Sequence, residues 1–190
     1  MSSDYRWIGA ACDPSVAGGV TAHLDTALLS VVDESGLAAD MVCTHIDRSA
    51  AIAAVTVSAR VPGETSPASL AALGAGLGGT AIVLDSTEEP VGGAYFAAEA
   101  RAGTDGRCVR FPGQGALTGL HSVAEIVATS AIDDVVAIGT TATPDMVVDT
   151  RAFLRPVFQD GHLTLLVEPA AGGLLRPVEI EQPHECCGGH

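Results

Sequence analysis

The run "FLRPVFQDGHLTLLVEP", residues 153–169, sets Asp160-Gly161 between two alternating apolar stretches. Asp-Gly suits the left-handed backbone of a two-residue hairpin turn, so this part of the chain is committed to antiparallel strands. "AAGG" (170–173) supplies another turn and "LLRPVEI" (174–180) a third strand. A C-terminal antiparallel β-meander is the expectation.

Upstream the pattern alternates between strand and helix signals. "YRWIGAAC" (5–12) and "ADMVCTHI" (39–46) are compact apolar runs. Between them Val20, Leu24, Leu28 and Val31 recur near the helical period, and Gly36 offers a stop. In "AAIAAVTVSARV" (50–61), Val55, Val57, Ala59 and Val61 alternate, as one buried face of a strand does. Ser66 before Pro67 marks a helix start, because a hydroxyl accepts orphan N–H groups and proline fits the first helical position. Leu70, Leu73 and Leu77 give that helix its apolar face, Gly78-Gly79 ends it, and "TAIVLD" (80–85) reads as a strand.

"GGAYFAAEARA" (92–102) is compatible with strand or helix. "RCVRF" (107–111) predicts a strand, "LHSVAEIVATSA" (120–131) a helix and "DDVVAIGT" (133–140) a strand. "TPDMVVDTRAF" (143–153) repeats the cap-then-proline device at Thr143-Pro144, which predicts another helix and hints at duplication of the 66–76 segment. The fold class expected is α/β or α+β: a single domain over residues 1–181, with a mixed sheet, helices on its face or faces, and the C-terminal meander. A His/Cys-rich tail follows at 182–190.

Composition narrows the function classes. Nine Arg and no Lys stand against 23 acidic residues, for a net charge of −14. Such a surface cannot neutralise phosphates, so neither nucleic acid nor an anionic membrane is an expected partner. No basic segment followed by an apolar run opens the chain, and no stretch reaches the roughly 18 apolar residues of a membrane span, so a cytoplasmic location is expected. There the five cysteines would stay as thiols, open to metal or redox chemistry.

The tail "PHECCGGH" concentrates His184, Cys186, Cys187 and His190 in its last seven residues. Thiolate and imidazole suit zinc first, with copper or iron next. Adjacent cysteines diverge in an extended chain, so the tail reads as half of a site that body residues complete. Cys43 and His45 form a C-x-H pair whose side chains share one face of a strand; Cys12, Cys108 and His121 are further donors. The competing reading is a solvated terminus with inert core cysteines.

A second candidate is "PGQGALTG" (112–119). Gly113, Gly115 and Gly119 would let N–H groups converge on a small anionic ligand, with Arg107 or Arg110 adding charge. Its spacing matches neither a Walker loop nor a dinucleotide fingerprint, so an ordinary connection competes with it. Asp145 and Asp149, four apart on the helix expected at 143–153, suit a hard cation or acid–base pair. No nucleophile elbow appears and no catalytic set stands out. A third reading makes the tail a docking segment for a protein partner or for a homo-oligomer.

Overall fold

The structure is a computed structural model that describes residues 5–13, 21–49, 53–84 and 90–181. The chain is α+β, with four helices among the described residues and strands paired in both senses. Two compact units are present: the described residues up to Phe111 with Phe158–Gly161, and those from Pro112 to Val157 and from His162 onward. No helix among the described residues is long and apolar enough to cross a membrane.

In the first unit, β1 (Tyr5–Ala11), α1 (Thr21–Glu34), β2 (Met41–Asp47), β3 (Ala54–Pro62), α2 (Pro67–Leu77), β4 (Ala81–Val83), α3 (Gly93–Ala102) and β5 (Arg107–Arg110) follow in order. The strands pair as β4-β1-β3-β2-β5, every neighbour antiparallel. α2 starts as the sequence predicts: Ser66 accepts the Ser69 N–H at 3.0 Å, and Gly78 closes the helix at φ 72°.

The period of two in the strands separates two unlike faces. Ile8, Ala10, Val42, Val57, Ala59 and Val61 face Leu28 and Val32 of α1 and Leu73 and Leu77 of α2, forming the apolar core. The other face carries Gly9, Ser58, Cys43 and Cys108, which lie directly opposite one another on four adjacent strands. α3 covers it. The stretch left open between strand and helix is helical because Gly93, Ala94, Ala97 and Ala100 make a small buried stripe that approaches the sheet closely.

The second unit holds β6 (Leu120–Ser122), α4 (Val123–Thr129), β7 (Asp134–Ala137), β8 (Val147–Asp149), β10 (His162–Pro169) and β11 (Leu175–Pro177), whereas β9 (Val157–Gln159) gives it Val157 and gives Phe158 and Gln159 to the first unit. β10 pairs parallel with β7 and antiparallel with β11, while β8 pairs parallel with β11 and antiparallel with β6. The expected turn joins β9 to β10, with positive φ at both Asp160 (52°) and Gly161 (86°).

Two helix expectations are corrected. The segment 143–153 is a turn followed by β8, with Met146 N–H bonded to the Thr143 carbonyl and Val148 fully buried. β-branched Val147 and Val148 fit the pleated ladder, and pairing on both sides outweighs the cap signal. The hinted duplication goes with that helix, as does the shared helical face of Asp145 and Asp149. At 120–131 the first three residues are β6, and α4 begins only after Ser122. There Ser122 and Glu125 form a capping box that fixes the start.

Candidate functional site

β2 is the hub because it lies between β3 and β5. Cys43 faces Ser58 on one side and Cys108 on the other. The ladder with β5 shifts register between Val42 and Cys43, a bulge that re-aims side chains locally. The two sulfurs lie 3.5 Å apart, and the Cys108 thiol donates to the Arg110 carbonyl at 3.1 Å. Both cysteines are fully buried.

Two residues along β2, His45 occupies the same face. Its Nδ1 is 2.7 Å from Asp105 Oδ2, and its Nε2 is 2.8 Å from Ser58 Oγ. A carboxylate only accepts, so Nδ1 carries the proton toward Asp105 and Nε2 accepts from the Ser58 hydroxyl. The Ser58 hydroxyl also contacts Cys43. A continuous polar path thus runs Asp105, His45, Ser58, Cys43, Cys108. Phe96 of α3 covers the imidazole with ring centroids 5.2 Å apart. Gly106 leaves the needed room, since a Cβ there would come within 3.0 Å of His45 Cε1 and 3.2 Å of Cys43 Cβ.

The order Asp–His–Ser is that of a hydrolytic triad, but the chemistry differs. Ser58 is fully buried and its hydroxyl is engaged by His45 and Cys43, so it presents no nucleophile to an external substrate. Burial lowers the His45 pKa below the ordinary imidazole value of 6.5, although Asp105 pulls the other way. The hydrogen bond to Cys108 and burial push the Cys43 thiol well up, against Ser58 and the Arg60 charge. At rest the path is neutral at its centre, with imidazole and thiol both uncharged.

This neutrality has a measurable consequence. Unfolded chain protonates histidine near pH 6.5, whereas folded chain resists. The His45 contribution is therefore present above that pH and is lost as pH falls through the lower folded value. The melting temperature should decline between pH 6.5 and 5, and more steeply than in His45→Gln. Carboxylates held low, such as Asp33 beside Arg110, add their loss only below about pH 4. Equal slopes for wild type and variant between pH 6.5 and 5 would remove His45 from the account.

No protein-family model matches the chain, and no curated protein or solved structure matches it. The site must stand on its own chemistry.

Of the predicted metal donors, Cys43 and His45 share a face and lie together over Gly106. His184, Cys186, Cys187 and His190 lie outside the described residues. Cys12 sits in the apolar core, where burial pushes its thiol up to about 11. His121, in the second unit, bonds the Thr118 carbonyl. Among the described residues no three His, Cys, Asp or Glu side chains converge as a metal-holding group.

The glycine loop has its own structural account. A Cβ on Gly113 (φ 82°) would meet the Thr129 carbonyl at 2.3 Å, so this glycine lets the loop pack on the end of α4. Gly119 is also left-handed (φ 87°), and Gly115 has open space around it. Arg110 forms a bidentate pair with Asp33 at 2.7 and 2.8 Å, and Arg107 forms one with Asp25 at 2.8 Å for both bonds. Both arginines of β5 therefore hold α1.

Sequence reasoning did not single out Ser58, Asp105 or Phe96. One signal was present: Thr56, Ser58 and Arg60 are polar at alternate positions of β3, and Thr56 and Ser58 lie opposite His45 and Cys43 across the ladder.

Proposed function

We propose that the protein binds a thiophilic metal ion, zinc first and copper or iron next, through Cys43 and Cys108. His184, Cys186, Cys187 and His190 offer further donors of the same class. The observation that carries this reading is the 3.5 Å separation of two sulfurs on paired strands. Thiolates favour soft and borderline cations, and a bound cation offsets the cost of ionising buried thiols. His45 supports the reading as a further donor. Its Nδ1 is held by Asp105 in the manner that orients metal-binding imidazoles, and its Nε2 would become available if Ser58 turned away. A reducing compartment such as the cytoplasm suits this chemistry, because the thiols must remain unoxidised.

Elemental analysis of untagged protein, purified under reduction without chelator, tests the proposal. Stoichiometric metal is expected in wild type, with loss in Cys43→Ser and in Cys108→Ser and weaker retention in the Cys186→Ser/Cys187→Ser double variant. Metal-free wild-type protein that also fails to take up added zinc or copper(I) would overturn the reading. Metal retained by both strand variants would overturn the role of the strand pair.

A further inference from the structure

Cys43 and Cys108 have a second chemistry open to them that needs no metal. Directly opposed residues of antiparallel strands keep Cα atoms roughly 4.5–5.5 Å apart, inside the roughly 4.4–6.8 Å that a disulfide spans. With the sulfurs already 3.5 Å apart, side-chain rotation is the main adjustment required. Both thiols are 0% exposed, which excludes a bulky disulfide as the attacking reagent and favours an oxidant about the size of water. An open cleft of about 300 Å³, lined by Asp47, Ser49, Pro90, Val91, Tyr95 and Phe96 among others, shares Phe96, the ring whose other neighbour is His45.

We infer that Cys43 and Cys108 are a peroxide-sensing pair that closes to a cross-strand disulfide, with Ser58, His45 and Asp105 as the proton route. The Cys43 S–H turns from Cys108 to Ser58, and its proton passes through the hydroxyl to His45 Nε2, leaving an imidazolium held by Asp105. The Cys43 thiolate attacks one oxygen of hydrogen peroxide. An S–O bond forms, the O–O bond breaks, and the departing hydroxide takes the imidazolium proton as water. Cys108 sulfur then attacks Cys43 sulfur, forming S–S and breaking S–O. The second hydroxide leaves as water with the Cys108 proton. Two thiols are oxidised by two electrons, and one peroxide is reduced to two waters.

Ser58 touches the reacting thiol, whereas Asp105 acts through His45 and is a positioning residue. The proposal rests on the two thiols and not on the metal reading, so its test uses chelator-treated, reduced protein.

The experiment titrates that protein with hydrogen peroxide, and in parallel with oxidised glutathione, and maps the cross-links by mass spectrometry after alkylation under denaturing conditions. One 43–108 link is expected with peroxide, forming about tenfold or more faster than with oxidised glutathione. Ser58→Ala and Asp105→Asn should each slow the peroxide reaction about tenfold or more, and Asp105→Glu should restore it. Asp105 is half exposed, so its variants keep the test open if Ser58→Ala fails to fold. A native protein whose 43–108 pair stays reduced while other thiols oxidise would overturn the proposal. So would faster linkage by oxidised glutathione. Unchanged rates in folded Ser58→Ala or in Asp105→Asn would overturn the proton route.

Discussion

Gly9→Ala is expected to lower the stability of the protein by about 3 kcal/mol or more, the upper range for overpacking. A Cβ on Gly9 would lie 1.8 Å from the Gly93 carbonyl oxygen and 2.3 Å from its carbon. These are backbone atoms at the start of α3, so no rotamer change relieves the overlap. The reverse substitution meets the same wall, since a Cβ on Gly93 would sit 2.8 Å from both Ala10 N and Gly9 C. Relief requires α3 to draw back from β1, which lifts Ala97 out of full burial and Phe96 off His45. Urea denaturation gives the stability change, and reaction of Cys43 and Cys108 with a small thiol reagent reports the lifted helix. Gly115→Ala, in open space, is the matched control and should be nearly silent. A Gly9→Ala protein within about 1 kcal/mol of wild type, with its thiols still protected, would show that the contact is not rigid.

The second large effect is at Asp25. Its side chain is 3% exposed and holds Arg107 through two bonds of 2.8 Å, while Arg107 also donates to Thr44 Oγ1 at 3.3 Å. Asp25→Ala removes a buried carboxylate and both of its bonds to a largely buried guanidinium, a loss of about 3–5 kcal/mol. Asp33 makes an equally well-formed bidentate pair with Arg110, but its side chain is 57% exposed. Water screens that pair, so Asp33→Ala should cost only about 0–1 kcal/mol. Eight residues apart on α1, the two pairs fasten the same helix to the same strand. Their contrast isolates desolvation from geometry. Equal losses in urea titrations of the two variants would contradict this assignment.

Where local chemistry decides the backbone, the sequence was readable. Asp160-Gly161 specifies a turn with two positive φ values, and Ser66-Pro67 specifies a helix start. The Val55-to-Val61 alternation marks one face of β3, and Val57, Ala59 and Val61 of that run lie in the apolar core. Thr143-Pro144 carried a comparable local signal and was overruled, because the valines after it are claimed by strands from distant parts of the chain. The candidate site divides in the same way. Cys43 and His45 are visible as a same-face pair because their relation is purely local. Ser58 comes from the next strand, Asp105 from the turn after α3, and Cys108 from 65 residues downstream. Nothing in the spacing of these residues announces that one strand collects them, since pairing register is a property of the assembled sheet.

The two faces of the first unit's sheet imply two different rules of inheritance. Beneath α1 and α2, Val57, Ala59 and Val61 are held by volume, and compensating exchanges among aliphatic residues preserve such a core. Beneath α3 the row Gly9, Ser58, Cys43, Cys108 is held by atom identity, with each member fixed by a neighbour's donor, acceptor or lack of a Cβ. Descendants of this chain could therefore drift widely on one side of the sheet while remaining nearly frozen on the other. Kinship among them would be recorded less in the core than in four small residues spelled across four strands.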